Sequence, residues 1–589
     1  MPHADLNGAH ITIATEYRDR EAIKRVPGFT WSTAGHWQGP LSWASCKALR
    51  GVFGDRLTIS DELAAWATAE VTGRVVPSMK LREALDAPGD DRLFPPQRAG
   101  VAWLKTTKRG LLGDPMGTGK TRQLLLAIPD DGWPAIVIAP NGVRGSWRSE
   151  VKKLGMDIDV RILDGGAAAR RKQLEGIADG DRTLIVTNWE SVRTLSRLSP
   201  YGSIRLRKCI EHGGEDESIT ESKCEVHSKP LNEIPLRTVI RDEAHRAKDP
   251  SSKQTRATWA LQHASTVRYC WDATGTPIAQ NIGDLWAIMH GNSPEDFPRK
   301  STFIERYAVT SWSIYGSLDI AGVNPLNRDE LFSFLDPRFR HIPKEALIPF
   351  LPPKLREERI CKMTPKQERA YREMAENMIT MVTEGVVVST NPLTQYTRLM
   401  QFASAYAEIA EDGNVRLSEP SCKVDEVIEI ANDLGDEAFV VGMVSRQLLE
   451  LCEKRLEKEG ITFSSVKGGQ TLDEREKAIA DFQEGRVRVI LLTVQSGGVG
   501  ITLTRAAYLV MLQRSWSLVD NMQTEDRVHR IGSEQHKQVT IIDVVSQGTV
   551  EMGRQLARLQ EKGANLNEVL RDAEVMKRLL YGEDIGDVA

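Results

Sequence analysis

Little in this 589-residue chain is extreme, and each thing it lacks removes a class of protein. Cysteine is sparse, seven residues spread over the whole length, which excludes a disulfide-built secreted scaffold. No apolar run reaches the ~18 residues of a membrane span, and the start has no basic stretch followed by an apolar core. The expectation is an intracellular protein, in the cytoplasm or a eukaryotic nucleus, with no membrane partner. Charge of one sign is missing too: 77 Lys and Arg stand against 81 Asp and Glu, a formal net charge of -4. Nucleic-acid contact must then come from local clusters or backbone dipoles, not a global basic field. There is no low-complexity tract, heptad pattern or fixed repeat. The length exceeds what one core supports and, at ~150 residues per domain, predicts about three or four units.

What is present is a recurrence of short Val- and Ile-rich runs between longer helix-like stretches. One set comprises PAIVIAP (134–140), TLIVTN (183–188) and LRTVI (236–240); a second comprises EAFVVGMV (437–444), VRVILLT (487–493), AAYLVMLQ (506–513) and VTIIDVV (539–545). Continuous apolar character, without alternation, marks strands buried on both faces, as in parallel sheets flanked by helices. The fold class is therefore α/β with two parallel-sheet lobes and helical insertions, preceded by a small α+β N-terminal domain. Boundaries follow: N-terminal domain 1–88, first lobe 89–345 with an insertion at 196–234, linker and helical protrusion 346–410, second lobe 411–548, and a C-terminal helical brace 549–589. Within 1–88, Trp31, Trp37 and Trp43 suit either base stacking or a small core. That segment has nearly balanced charge and no basic stripe.

The first chemical signal is GDPMGTGKT at 113–121. The P loop requires Gly, four residues, then Gly-Lys-Ser/Thr, and Asp114 stands where the first glycine belongs. Gly117, Thr118, Gly119, Lys120 and Thr121 still supply what phosphate needs: backbone N–H groups free to close on oxygens, a lysine charge, and a hydroxyl for Mg²⁺. The apolar Gly110-Leu111-Leu112 before it and RQLLLAI after it give strand, loop and helix in the required order.

Asp242-Glu243-Ala244-His245 follows the strand LRTVI. A strand-end aspartate can hold Mg²⁺ and an adjacent glutamate can deprotonate an attacking water, the division of labour in NTP hydrolysis. Thr274, Gly275 and Thr276 in WDATGTPIAQN form a polar turn that could link nucleotide state to a bound polymer. In QTEDRVHRIGS (523–533), Arg527 and Arg530 lie three apart and on a helix project from one face, as a solvated basic surface or as arginine fingers for a γ-phosphate.

Taken in order, GDPMGTGKT, RDEAH, ATGTPIAQN, LPPK (351–354), QSGGVGITLT (495–504) and QTEDRVHRIGS resemble the superfamily II helicase-like ATPases of the Swi/Snf type over about 90–545. In that family the P loop begins Asp-Glu, so Asp114 is the expected residue. The resemblance implies two RecA-like lobes, ATP with Mg²⁺ between them, Lys120, Asp242, Glu243, Arg527 and Arg530 as catalytic groups, and Thr121 and Asp242 as magnesium ligands. It further implies nucleotide contacts from Gln97 in LFPPQRAGVAWL, from Gly117 to Thr121, and from Gly500 and Gln523, with His245 and Thr274 to Thr276 coupling hydrolysis to movement. The partner it implies is duplex or forked DNA, held mainly by its backbone, and a motor able to work as a monomer; the sequence names no protein partner. The N-terminal unit and TEDRVHRIG are similar to the annealing-helicase branch with its HARP-type domain. Pro115, Arg241 and Ser533 depart from the family pattern, and Arg241 is placed to alter DNA or lobe contacts. Two other readings stay open: an RNA helicase, and an ATP-switched DNA-binding scaffold without turnover.

One segment lies outside that resemblance. Cys209-x2-His212 and Cys224-x2-His227 sit in the insertion between the strands ending near 188 and 240. Two ligand pairs across a polar loop suit a tetrahedral structural Zn²⁺ site; the other reading is a polar surface loop.

Overall fold

The computed structural model describes residues 1–551 apart from 203, 276–281, 313–317, 384–397, 399, 412, 498–500, 516–517 and 550. It divides into two compact units, the first covering Met1–Leu347 and the second beginning at Ile348. The expected C-terminal brace falls almost entirely outside the described residues, as do Thr276 and Gly500.

The first unit opens with five strands, β1 (His3–Asn7), β2 (His10–Ala14), β3 (Thr30–Trp31), β4 (Trp37–Pro40) and β5 (Thr58–Ile59), in the order β3-β4-β2-β1-β5. Alternation in HITIA sends Ile11 and Ile13 to one face, where they meet Ile23, Phe29, Trp37, Leu49, Phe53 and Leu63. The helix Trp43–Phe53 starts at Ser42, whose hydroxyl accepts the Ser45 N–H at 3.0 Å. This small domain is joined to the rest of the unit by specific bonds: the Ala44 N–H donates to Asp296 at 3.1 Å and the Trp43 indole to the Ser333 carbonyl at 3.2 Å. Of the three candidate stacking tryptophans, Trp37 therefore belongs to the core and Trp43 to this junction. Trp31, 60% exposed, meets only the edge of Trp37 among the described rings.

The main sheet of this unit has β6 (Arg109–Leu112), β7 (Ala135–Ala139), β8 (Asp159–Ile162), β9 (Thr183–Asn188), β10 (Thr238–Asp242), β11 (Tyr269–Ala273) and, after an antiparallel hairpin of β12 (Ala308–Trp312) and β13 (Leu318–Val323), β14 (Phe339–Arg340). Its order is β14-β6-β11-β10-β7-β9-β8 and every pairing is parallel. The fully buried AIVIA of β7 shows why: both faces are covered by helices, so each residue is apolar and small enough to pack. The topology makes β6, β11 and β10 neighbours, so the segments leaving their carboxyl ends emerge side by side.

The second unit carries β15 (Lys354–Cys361), an antiparallel pair β16 (Tyr406–Ile409) and β17 (Val415–Ser418), then β18 (Phe439–Met443), β19 (Phe463–Val466), β20 (Val489–Thr493), β21 (Tyr508–Met511) and β22 (Val539–Ser546). The six-stranded sheet runs β15-β22-β21-β18-β20-β19, again all parallel. Two RecA-like parallel-sheet lobes with a small α+β N-terminal domain are thus the architecture.

Two local expectations are corrected. KLREERIC, read as linker and helical protrusion, is the edge strand β15, pairing with β22 over eight residues from Lys354↔Val539 to Cys361↔Ser546. A charged sequence hides the strand because one edge and much of its surface meet water. Within the first lobe's expected range, where helical insertions are expected, the chain also forms the hairpin β12–β13.

Candidate nucleotide-binding site

The loop leaving β6 turns at Gly117 (φ +77°) and Gly119 (φ +80°), both in the left-handed region that favours glycine. Gly119 caps the helix Lys120–Ala127, which places backbone N–H groups and the positive end of the helix dipole at the loop. Lys120 Nζ donates to the carbonyls of Asp114 at 2.8 Å and Pro115 at 2.9 Å, so the ammonium lies inside the loop's curve. Thr121 follows in the first turn of the helix. Asp114, the apparent mismatch, is buried, and its carboxylate accepts the Ile342 N–H at 3.1 Å, tying the loop to the chain after β14. A glycine there would lose that tie.

Gln97 lies in the helix Pro95–Thr107 and is nearly fully buried. Its amide N–H donates to the Thr118 carbonyl at 2.8 Å while its oxygen accepts the Phe94 N–H at 3.1 Å. The glutamine and the phosphate loop are therefore fixed to each other. The Thr118 hydroxyl closes the turn on the Pro115 carbonyl at 2.8 Å.

At the end of β10, two tryptophans hold Asp242: the Trp147 indole donates to its Oδ2 at 3.3 Å, and the Trp189 indole to its backbone carbonyl at 3.0 Å. Sequence reasoning missed both, because an indole's partner is set by a crossover helix. Burial raises the Asp242 carboxyl and neighbouring Glu243 raises it further; against the opposing pull of Lys120 it is pushed up to about 7. Glu243 has φ +53° and ψ +52°, a left-handed backbone that is strained for a side chain and turns the chain sharply at the strand end. His245 Nδ1 stands 3.4 Å from Glu243 Oε2 and 3.0 Å from the Thr274 hydroxyl. Gly275 sits against the phosphate loop, where an added Cβ would meet Met116 Cγ at 2.8 Å. The three adjacent strands thus bring Gln97, the 117–121 loop, Asp242, Glu243, His245, Thr274 and Gly275 to one edge.

Arg241 does not face a partner. It is fully buried, its guanidinium clamps both carboxylate oxygens of Asp272, and it also donates to Thr258 Oγ1 at 3.3 Å and the Ile288 carbonyl at 2.9 Å. The register pairs Arg241 directly with Asp272 on β11, so the departure is an internal charge pair between central strands, and the expected effect on DNA or lobe contacts is corrected. Burial raises the Asp272 carboxyl and Arg241 opposes it, with Asn292 donating at 2.8 Å.

The second unit carries its own cluster. The helix Leu518–Val528 holds buried Gln523 and Arg527; Arg530 lies just beyond its end, so the expected shared helical face is corrected. Both guanidinium groups still converge on one atom, the Ile501 carbonyl, at 3.4 Å from Arg527 and 3.1 Å from Arg530. The chain leaves the helix through His529, held to the Pro352 carbonyl at 2.8 Å, and Gly532 at φ +105°. Lys354 of LPPK and Arg514 grip buried Glu525 on the same helix, each at 2.9 Å.

Comparison with known proteins adds the family. The SNF2-related domain matches residues 96–412 and the helicase conserved C-terminal domain matches 422–532. SNF2 domain-containing protein ENL1 of Oryza sativa subsp. japonica is 24% identical over 529 residues, covering 80% of this chain and 51% of that protein. The ISWI chromatin-remodeling complex ATPase ISW1 of Saccharomyces cerevisiae is 24% identical over 486 residues, covering 78% of this chain and 39% of that protein. The chain thus spans about half or less of the length of these curated relatives. The Sulfolobus solfataricus SWI2/SNF2 ATPase core in complex with dsDNA aligns with 85% of this chain at 23% identity, with a TM-score of 0.36.

Proposed function

We infer function from family first: this chain belongs to the SNF2-related domain family, the matched region covering more than half of it. We propose that it hydrolyses ATP with Mg²⁺ and uses that cycle to move along duplex or forked DNA, contacting mainly the backbone. The observation that carries this reading is the charge balance at the β6-β11-β10 edge. A lysine folded into a left-handed glycine loop and a buried carboxyl pushed up to about 7 beside a second carboxylate form a site that fits a magnesium nucleotide.

In this reading the 117–121 loop and Lys120 hold the β- and γ-phosphates, and Gln97 lies beside the adenine. Thr121 and Asp242 hold Mg²⁺, which when bound neutralises phosphate charge. Glu243, set by its left-handed backbone, takes the proton of the attacking water. Arg527 and Arg530 supply positive charge to the γ-phosphate, with Gly500 and Gln523 as further nucleotide contacts. The His245–Thr274 bond is the coupling route, since it joins the carboxylate edge to the turn after β11.

The test is the ATP hydrolysis rate alone and with single-stranded, duplex or forked DNA, or RNA. Stimulation by duplex or forked DNA is expected; stimulation by RNA alone would replace the reading with an RNA motor, and ATP binding without turnover would leave a switch. The finer assignment to the annealing-helicase branch rests only on the resemblance of the N-terminal unit and TEDRVHRIG to that branch. Rewinding of a bubble substrate tests it.

A further inference from the structure

The insertion between β9 and β10 has almost no apolar core of its own. Beyond the helix Trp189–Leu195, its regular structure among the described residues is three one-turn helices, Ile210–His212, Glu221–Lys223 and Pro230–Asn232, and between 207 and 228 the buried residues are Cys209, Cys224 and Glu225. Ile210, the large apolar side chain beside the first cysteine, is exposed. Leu198, Leu206, Leu231 and Ile234 anchor the two ends of the insertion in the lobe's core, whereas the tip 207–228 has no apolar cluster to organise it.

Cys209, His212 and His227 converge, and Cys224 lies against His212. Cys209 Sγ lies 3.3 Å from His212 Nδ1, and Cys224 Sγ lies 3.9 Å from the same nitrogen. A tetrahedral ion with metal–sulfur and metal–nitrogen bonds of about 2.3 and 2.1 Å sets sulfur and nitrogen about 3.6 Å apart, between those two distances. The ligand atoms of Cys209, Glu211, His212 and His227 all lie within 4.8 Å of one another, and the two imidazole rings are 5.2 Å apart at 82°. His227 Nδ1 is buried with no protein hydrogen-bond partner, while its Nε2 stands 3.8 Å from a Glu221 carboxylate oxygen. A bound metal would satisfy the buried Nδ1, and the Glu221 carboxylate, beyond direct hydrogen-bond reach, adds negative charge beside the ring.

The backbone around the cysteines is shaped for the same end. After Cys209 the chain folds into a knuckle, with the N–H groups of His212 and Gly214 donating to the Cys209 carbonyl at 3.0 and 2.9 Å. Gly213 has φ +76°, and a Cβ on Gly214 would meet the Lys208 carbonyl oxygen at 1.9 Å, so both positions of this turn call for glycine. The Cys209 N–H points at the Cys224 sulfur at 3.4 Å, stabilising thiolate character there. Glu225, next to the second cysteine, ties the knuckle to the lobe: its carbonyl accepts the Leu198 N–H at 2.8 Å and its carboxylate meets Lys253 at 3.2 Å.

We propose that Cys209, His212, Cys224 and His227 form a structural Zn²⁺ site that pins this insertion to the first lobe. The two cysteines bind as thiolates, releasing two protons to solvent, and the two imidazoles bind neutral, so the site carries no net charge and sits in a partly buried pocket at little electrostatic cost. Cys224, buried and soft, is the fourth ligand; Glu211 is exposed and oxygen-donating, and remains in water.

The test is elemental analysis of the full chain made in zinc-replete medium and dialysed without chelator. About one zinc per chain is expected, retained in Cys46→Ser and Glu211→Gln and lost in Cys209→Ser/Cys224→Ser. No zinc in the parent chain, undiminished zinc in the double variant, or loss in Glu211→Gln would overturn the proposal. Should the double variant fail to fold, Co²⁺ exchanged into the parent chain gives the answer: intense visible bands with thiolate-to-metal charge transfer support a tetrahedral two-thiolate site, and a weak octahedral spectrum contradicts it. Chelation is also expected to speed proteolysis within 205–228.

Discussion

Two buried carboxyls, Asp242 in the first lobe and Glu525 in the second, are held in opposite ways. In the first, Asp242 and Glu243 stand together, and the pull of Lys120 does not offset burial and repulsion, so Asp242 is held up at about 7. In the second, burial would raise Glu525, but Lys354, Arg514 and Arg356 outweigh it and hold the carboxyl well below its ordinary range. Arg514 closes the network on Asp543 at 2.6 and 2.9 Å. The difference teaches what each lobe is prepared for. A site left with excess acid accepts a cation, whereas a network neutralised from within fixes the helix Leu518–Val528 that carries Arg527.

The comparison breaks most severely at the phosphate loop. Lys120→Ala is expected to reduce ATP hydrolysis to background while the fold, followed by circular dichroism, stays intact; near-native turnover would remove the lysine from the chemistry. Next comes Arg530→Ala, expected to lower kcat by about 10³-fold or more if it acts on the γ-phosphate. An unchanged kcat would leave it a structural tie to the Ile501 carbonyl. Within the first sheet, Arg241→Leu strands a buried Asp272 carboxylate and should destabilise the unit by about 3–5 kcal/mol in urea unfolding. Adding Asp272→Leu should recover much of that loss; no recovery would mean that the guanidinium's other bonds dominate.

The smallest effect is on pH. Glu525 has a lowered folded pKa, so its stabilising contribution is fully present above the ordinary carboxylate value and is lost as pH falls toward the folded one. Amide exchange in β22 should therefore accelerate below about pH 4.3, and Glu525→Gln should flatten that dependence. An identical acid profile in the variant would show that other carboxylates govern it.

The legible part of the fold was the part made of continuous apolar strands. AIVIA and FVVGM announce parallel sheets because both faces of each strand are covered. DVRI of β8 and KLREERIC of β15 were not legible, since edge strands keep polar residues where no neighbour covers them. For the candidate site, Gly117, Gly119, Lys120, Asp242 and Glu243 stand out because phosphate and metal chemistry restrict residue type at fixed spacing. Trp147, Trp189 and the Arg241–Asp272 pair did not, because their partners come from distant segments brought together by strand order. One signal was available for the pair: two opposite charges inside otherwise buried strands, at positions that parallel register sets side by side.

The most direct test of the account is single-turnover hydrolysis of Mg²⁺-ATP by the parent chain and by Glu243→Gln, with nucleotide binding measured in parallel. The account predicts that the variant binds ATP about as tightly as the parent and that its chemical step slows by about 10²- to 10⁴-fold, the contribution of a general base. A variant that cleaves bound ATP at the parent rate would contradict it, and with it the assignment of the β6-β11-β10 edge as the place where the nucleotide is hydrolysed.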